Sequence, residues 1–102
     1  MIVNRRVFVA KTGQAGKLTD LIVKIHKRAS WPGTVRIYRS NFGPFSQVVV
    51  EAEIESLAAY AEADPKFDPQ MTAEDWEMWN EVLDTGGTNG IWNLVHQQPA
   101  KG

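Results

Sequence analysis

Residues 3–10 alternate between two kinds of side chain. Val3, Val7 and Val9 share one parity and Asn4, Arg6 and Phe8 the other, which predicts a strand with two different faces. After a break at Thr12-Gly13-Gln14-Ala15-Gly16 the period changes. Leu18, Leu21, Ile22, Ile25 and Ala29 fall on one stripe of a helix, and Lys17, Asp20, Lys24, Lys27 and Arg28 form its solvated face. Trp31-Pro32-Gly33 ends that helix, because Pro cannot continue it and Gly tolerates a left-handed turn. Alternation resumes over Val35–Ser40, with Val35 and Ile37 opposite Arg36 and Tyr38. It returns over Gln47–Ile54, with Val48, Val50, Ala52 and Ile54 opposite Gln47, Val49, Glu51 and Glu53. The turn signal Asn41-Phe42-Gly43-Pro44 between the two runs makes them a hairpin.

Ser56 is a candidate N-cap for a second helix starting at Leu57, with Tyr60 and Ala61 also on its buried side. Asp64-Pro65-Lys66-Phe67-Asp68-Pro69 interrupts it. Thr72 then caps a renewed helix carrying Trp76, Trp79, Val82 and Leu83 at helical spacing. Asp75 stands where a capping box prefers Glu or Gln, so a weak box is expected. Gly86, Gly87 and Gly90 predict a flexible turn. Ile91–His96 is the expected last strand, with Trp92, Leu94 and His96 opposite Ile91, Asn93 and Val95, and 97–102 is a polar tail expected to fray. No repeat at solenoid spacing and no low-complexity segment interrupts this order.

The order β-α-β-β-α-β is solved most simply by a four-stranded antiparallel sheet with both helices on one face, an α+β arrangement. The aliphatic positions Val7, Val9, Val35, Ile37, Val48, Val50, Ile91 and Val95 are expected to meet the helices. The opposite face then carries Asn4, Arg6, Phe8, Arg36, Tyr38, Val49, Glu51, Trp92, Leu94 and His96. A face left in water seldom gathers Phe, Tyr and Trp, and a plain core does not hold two Arg and a Glu unless they are paired. The mixture predicts a surface covered by a second copy of the chain, a homodimer packed sheet to sheet, with or without a small molecule between.

Composition narrows the classes. The 102 residues fit one domain spanning 1–102, and 43% hydrophobic with 23% charged residues is a globular balance. A domain of this size folds alone with little to spare, so burial at a subunit interface helps it. A formal net charge of −1 argues against a nucleic-acid partner. The absence of Cys excludes disulfide scaffolds, Cys-based zinc or iron–sulfur sites and thiol catalysis, and it suits a cytoplasmic setting. Met1–Ala10 carries Arg5 and Arg6 within its alternation and lacks the apolar core and cleavage site of a signal peptide. No apolar run approaches the ~18 residues of a membrane span, so no membrane partner is expected.

Three strings carry a resemblance. Asn4-Arg5-Arg6-Val7-Phe8-Val9, followed by the Leu18–Ile25 helix, looks like the start of small dimeric α/β-barrel proteins. Val35-Arg36-Ile37-Tyr38-Arg39-Ser40-Asn41-Phe42-Gly43-Pro44-Phe45, then Glu53-Ile54-Glu55-Ser56-Leu57 and Asp64-Pro65-Lys66-Phe67, is similar to the NIPSNAP-like branch of that superfamily. The resemblance covers about residues 3–96. It implies a ferredoxin-like chain whose sheet forms half of a dimeric α/β barrel. Members of the superfamily include cofactor-free quinone-forming monooxygenases, haem-degrading monooxygenases, chlorite dismutase relatives and muconolactone isomerases. The Trp-rich second helix and the Gly-rich turn of this chain depart from the plain pattern.

The candidate cavity-lining residues are Asn4, Arg6, Phe8, Arg36, Tyr38, Glu51, Trp92 and His96. Arg6, Arg36 and Glu51 can anchor a substrate, since the Arg fork donates two parallel hydrogen bonds, or can form ion pairs that close the dimer. His26, among Lys24, Lys27 and Arg28, reads as a surface histidine, whereas His96 on the mixed strand face is better placed to titrate or to ligate. Two histidines and no Cys make a multi-His zinc site improbable, and neither a metal nor a cofactor is expected. Glu74, Asp75 and Glu77 suit the N-terminal end of a helix dipole. Gly86-Gly87-Thr88-Asn89-Gly90 lacks the spacing of a phosphate loop. Asn4, Trp76 or Trp79, and His96 are the residue types used by haem-degrading members, but they do not match that motif residue by residue. The expected function is binding of a small molecule in a cavity at the sheet face. The alternatives are a cofactor-independent monooxygenase of aromatic substrates and, less favoured, a haem-handling protein.

Overall fold

A computed structural model describes residues 1–40, 45–66 and 71–100. The expected turn at 41–44, the later part of the interruption at 64–69 and the last two tail positions lie outside the described residues. The elements run β1 Ile2–Ala10, α1 Ala15–Arg28, β2 Val35–Arg39, β3 Gln47–Ile54 and α2 Leu57–Ala63. A 3₁₀ turn follows at Asp64–Lys66, then α3 Ala73–Val82 and β4 Leu83–Asn93. The sheet has the order β2-β3-β1-β4 with every neighbouring pair antiparallel, which is the expected ferredoxin-like α+β arrangement.

Leu18 and Ile22 of α1, Val82 of α3, Val48 and Val50 of β3 and Ala10 of β1 form the core between helices and sheet. Burying side chains of the Leu, Ile and Val class contributes about 1.5–3 kcal/mol each. Local chemistry sets the helix ends. Ser56 Oγ accepts from the Ala59 N–H at 3.1 Å, as a Ser N-cap should. The box at α3 is complete although its third residue is Asp: Thr72 Oγ1 accepts from the Asp75 N–H at 3.1 Å, and Asp75 Oδ2 accepts from the Thr72 N–H at 3.0 Å. Asp75 is 1% exposed, pairs with Arg28 and lies 3.8 Å from Lys24 Nζ. The supposedly solvated flank of α1 thus clamps α3. The Thr72 N–H, and after it Arg28, lowers the Asp75 carboxyl to about 2.

Two expectations are corrected. The faces of β1 are exchanged: Ile2, Asn4, Arg6, Phe8 and Ala10 lie under the helices, while Val3, Val7 and Val9 lie on the open face. The ends decide it, since Ile2 and Ala10 are buried and Phe8 packs edge-on against Trp79 with ring centroids 5.0 Å apart. The polar members of this row are tolerated because each is hydrogen-bonded. The second correction concerns the glycines. Gly86 and Gly87 are not a free turn but sit within β4, at an irregularity of its pairing between Val7 and Val9. Gly87 has φ +59, and a Cβ there would stand 2.1 Å from the Val7 carbonyl oxygen. β4 consequently starts directly after α3 and ends at Asn93, so Val95 and His96 fall beyond it.

Candidate functional site

α1 packs against α3, while α2 packs on β3 and continues into the 3₁₀ turn. Between them the sheet is incompletely covered. The space left is lined by Asn4, Arg6 and Phe8 of β1, His26 of α1, Val35, Val50, Ala52, Trp31 and Asp64. It is an open-sided cleft whose empty space, continuous with solvent, is about 400 Å³. A second, wider chamber shares Arg6, Phe8 and His26 as its wall and adds Ile22, Ile25, Met71, Trp76 and Trp79, with about 540 Å³ of open-sided space. One chamber is therefore polar at its floor and the other aromatic, with Arg6 reaching both.

The floor is built by pairing. Asn4 is 4% exposed, and its Nδ2 donates to Asn89 Oδ1 at 2.7 Å and to the Gly90 carbonyl at 3.1 Å. A backbone carbonyl accepts only, so this fixes the amide orientation. With both amide hydrogens committed to β4, Asn4 has its carbonyl oxygen to offer. Arg6 Nη2 donates to Asp64 Oδ1 at 2.8 Å and to Tyr60 Oη at 3.4 Å, and its Nε is buried with no hydrogen-bond partner. Trp31, which lines the same space, is held by its Nε1, which donates to the Glu53 carbonyl at 2.9 Å, and by an edge contact with Tyr60 at 5.9 Å between ring centroids.

His26 is half-buried. Its Nδ1 lies 2.7 Å from the Ile22 carbonyl and so donates to it. Burial pushes the imidazole below the ordinary value of 6.5, the Ile22 bond opposes this, and the positive charge of Arg6 adds to the lowering. A neutral ring that donates through Nδ1 carries its lone pair on Nε2, the tautomer suited to accepting a proton.

The eight residues expected to share one cavity are divided by the sheet. Asn4, Arg6 and Phe8 line the cleft under the helices, whereas Arg36, Tyr38, Glu51 and Trp92 lie on the open face. His96 is in the exposed segment after β4, its Nε2 3.4 Å from Gln98 Oε1. Arg6 pairs with Asp64 and Arg36 with Glu53, while Glu51 faces Arg5 and Arg36 across its two neighbouring strands. His26, Trp31 and Asp64 were not among the eight. For His26 the signal was present, since it stands four residues after Ile22 and eight after Leu18, on the edge of the buried stripe. Among the described residues no group of three or more His, Asp or Glu side chains is arranged to hold a metal ion, and no helix is long and apolar enough to cross a membrane.

No protein-family model matches the chain, and no curated protein matches it. Solved structures do. An uncharacterized NIPSNAP-like domain protein from Burkholderia xenovorans superposes with a TM-score of 0.74 at 19% identity, over 97% of this chain and 89% of that one. A NIPSNAP family protein of unknown function from Agrobacterium tumefaciens gives 0.78 at 19% identity, over 97% and 92%. A putative antibiotic biosynthesis monooxygenase from Chloroflexus aurantiacus gives 0.63 at 11% identity, over 96% of each chain. The chain thus shares its fold with NIPSNAP-like proteins and, more distantly, with monooxygenase-like ferredoxin folds.

Proposed function

We propose that this protein binds a small, largely apolar molecule in the cleft between the sheet and its helices. The observation that carries the reading is that Arg6 and Phe8 form the shared wall of two adjoining chambers, one floored by the hydrogen-bonded Asn4 and the other lined by Trp76 and Trp79. A few convergent polar groups beside apolar and aromatic side chains are the usual makeup of a ligand site. Titration with the neutral aromatic amide naphthalene-2-carboxamide, followed by tryptophan fluorescence, tests it. Saturable quenching is expected, weakened at least about tenfold in Trp79→Ala, where a stacking surface is lost. An unchanged affinity in the variant overturns it, as does quenching that stays linear to the solubility limit for this amide and for its carboxylate isostere alike.

A second reading, oxidation of an electron-rich aromatic substrate by molecular oxygen without a cofactor, is favoured by one feature: a neutral imidazole, His26, beside the aromatic chamber. Oxygen uptake with hydroquinone-type substrates that equals the uptake of His26→Gln sinks this reading. Haem handling through His96 gains no support, since that ring stands in solvent.

The open face suits a second copy of the chain. Val3, Val7, Val9 and Val49 run down its middle, Tyr38 is 47% and Trp92 61% exposed, and Arg5, Arg36, Glu51 and Glu53 supply both signs of charge around them. A two-fold axis brings unlike charges together and buries the valines. A native mass equal to one chain at micromolar concentration refutes the dimer. The cysteine-free sequence fits the reducing cytoplasm.

A further inference from the structure

We infer that the molecule taken by this cleft is an organic carboxylate, an apolar or aromatic acid whose carboxylate replaces Asp64 on the Arg6 guanidinium. The inference rests on the small-molecule reading of the cleft and names the ligand class. Arg6 stands at the middle of β1 on the helix side and borders both chambers. Both of its hydrogen bonds to side chains come from Nη2, while Nε is buried with no partner. A guanidinium edge presents two parallel N–H groups, and a carboxylate docks on both at once. Asp64 takes one. A ligand carboxylate that takes both satisfies the N–H that the present arrangement leaves bare, and a bare buried donor is costly.

The exchange is favoured by where the two acids sit. The Asp64 side chain is 40% exposed, so on release it returns to water at little cost. A ligand carboxylate beside Nε lies deeper, where charge-assisted bonds are stronger. The charge balance agrees. Among the described residues lining the two chambers, Arg6 and Asp64 are the charged ones, so once Asp64 turns away the site carries a single positive charge. A singly charged anion matches that charge, a cation is repelled, and a neutral polar group leaves Arg6 less well paired. The body of the acid then lies against Phe8, Trp76 and Trp79.

The test compares naphthalene-2-carboxylate with its neutral isostere naphthalene-2-carboxamide by tryptophan-fluorescence titration of the full chain, Asp64→Asn and Arg6→Gln. In the unaltered protein the carboxylate binds at least about tenfold more tightly than the amide. Asp64→Asn, which removes the competitor, tightens the carboxylate severalfold and leaves the amide unchanged. Arg6→Gln abolishes the preference. Should Arg6→Gln fail to fold, as read by circular dichroism, Asp64→Asn alone decides. Equal binding of acid and amide, with no response to Asp64→Asn, overturns the inference and leaves the cleft as a ligand site. Failure of both probes to bind overturns the cleft reading itself, and the inference with it.

Discussion

Adjacent glycines in β4 allow a test with its own control. Gly86 has nothing within 4 Å of where a Cβ would stand and has no positive φ, whereas at Gly87 the Cβ would stand 2.1 Å from the Val7 carbonyl oxygen and 2.9 Å from its carbon, with φ +59. Alanine at φ > 0 costs roughly 1–2 kcal/mol in backbone strain. The overlap adds more, because the obstacle is backbone and cannot rotate away. The Cβ is about 1.3 Å inside ordinary contact distance, so β1 and β4 must part locally. Parting sacrifices one or two ladder hydrogen bonds at about 1 kcal/mol each. Gly87→Ala is therefore expected to cost about 3 kcal/mol, a large share of the 5–15 kcal/mol that typically holds a small domain. Gly86→Ala, which restricts only the unfolded chain, is expected to change stability by less than about 1 kcal/mol and to raise it if anything.

Urea unfolding of the two variants beside the parent measures the difference directly. It also reports on the site, since β4 supplies both acceptors of Asn4, at Asn89 and Gly90. A displaced β4 loosens the cleft floor, so Gly87→Ala should weaken aromatic amide binding even where the protein remains folded. Equal urea midpoints for Gly86→Ala and Gly87→Ala would refute the assignment of these glycines to a bulge and restore the simpler picture of a loose turn.

Three other outcomes follow from the pairings described. The His26 imidazole should titrate below 6.5 by NMR. Because its folded value lies below its unfolded one, the stability it confers is complete above about pH 6.5 and falls as pH drops through the folded value, a slope that His26→Gln should remove. Asp75 acts in the same sense at lower pH: its contribution is complete above the ordinary 3.8 and is lost as pH falls through about 2, so Asp75→Asn should lower the thermal midpoint at pH 7 and flatten the acid limb of the pH–stability curve. An unchanged acid limb would remove Asp75 as the clamp between α1 and α3. For the open face, Val7→Glu should convert a sedimenting dimer to monomer while leaving the circular dichroism spectrum intact, and persistence of the dimer would move the interface elsewhere.

Much of the architecture is legible in the sequence because each element carries its own period, and because Ser56 and Thr72 mark two helix starts by hydroxyl chemistry that acts within one turn. The parts that local pattern does not settle have a common cause: they depend on partners distant in sequence. The valines of β1 outnumber the apolar residues of the opposite parity over 3–9, so pattern alone favours the aliphatic row as the core row. Ile2 and Ala10 at the margins, and the edge contact of Phe8 with Trp79, reverse that choice. The Arg6–Asp64 pair links positions 58 residues apart, and nothing in local spacing announces it. What is predictable is only that an Arg placed under helices needs an acid. Trp31 reads as a helix stop, which its Pro-Gly neighbours justify, and its second duty in lining the cleft depends on the Glu53 carbonyl across the β2–β3 edge.

That Glu53 position shows how the two faces of so thin a sheet are connected. Its side chain pairs with Arg36 on the open face, while its carbonyl accepts from Trp31, which lines the cleft, and its N–H donates to Thr34 at 2.8 Å where β2 begins. Gly33 lies so close here that a Cβ would stand 1.8 Å from the same carbonyl oxygen, so this position has no room for a larger residue. A partner chain on the open face that draws Arg36 away from Glu53 acts on a backbone already fixed from the other side. The exchanged faces of β1 divide that strand in a similar way: Val3, Val7 and Val9 face outward and Asn4, Arg6 and Phe8 face the helices, so neither set of side chains intrudes on the other.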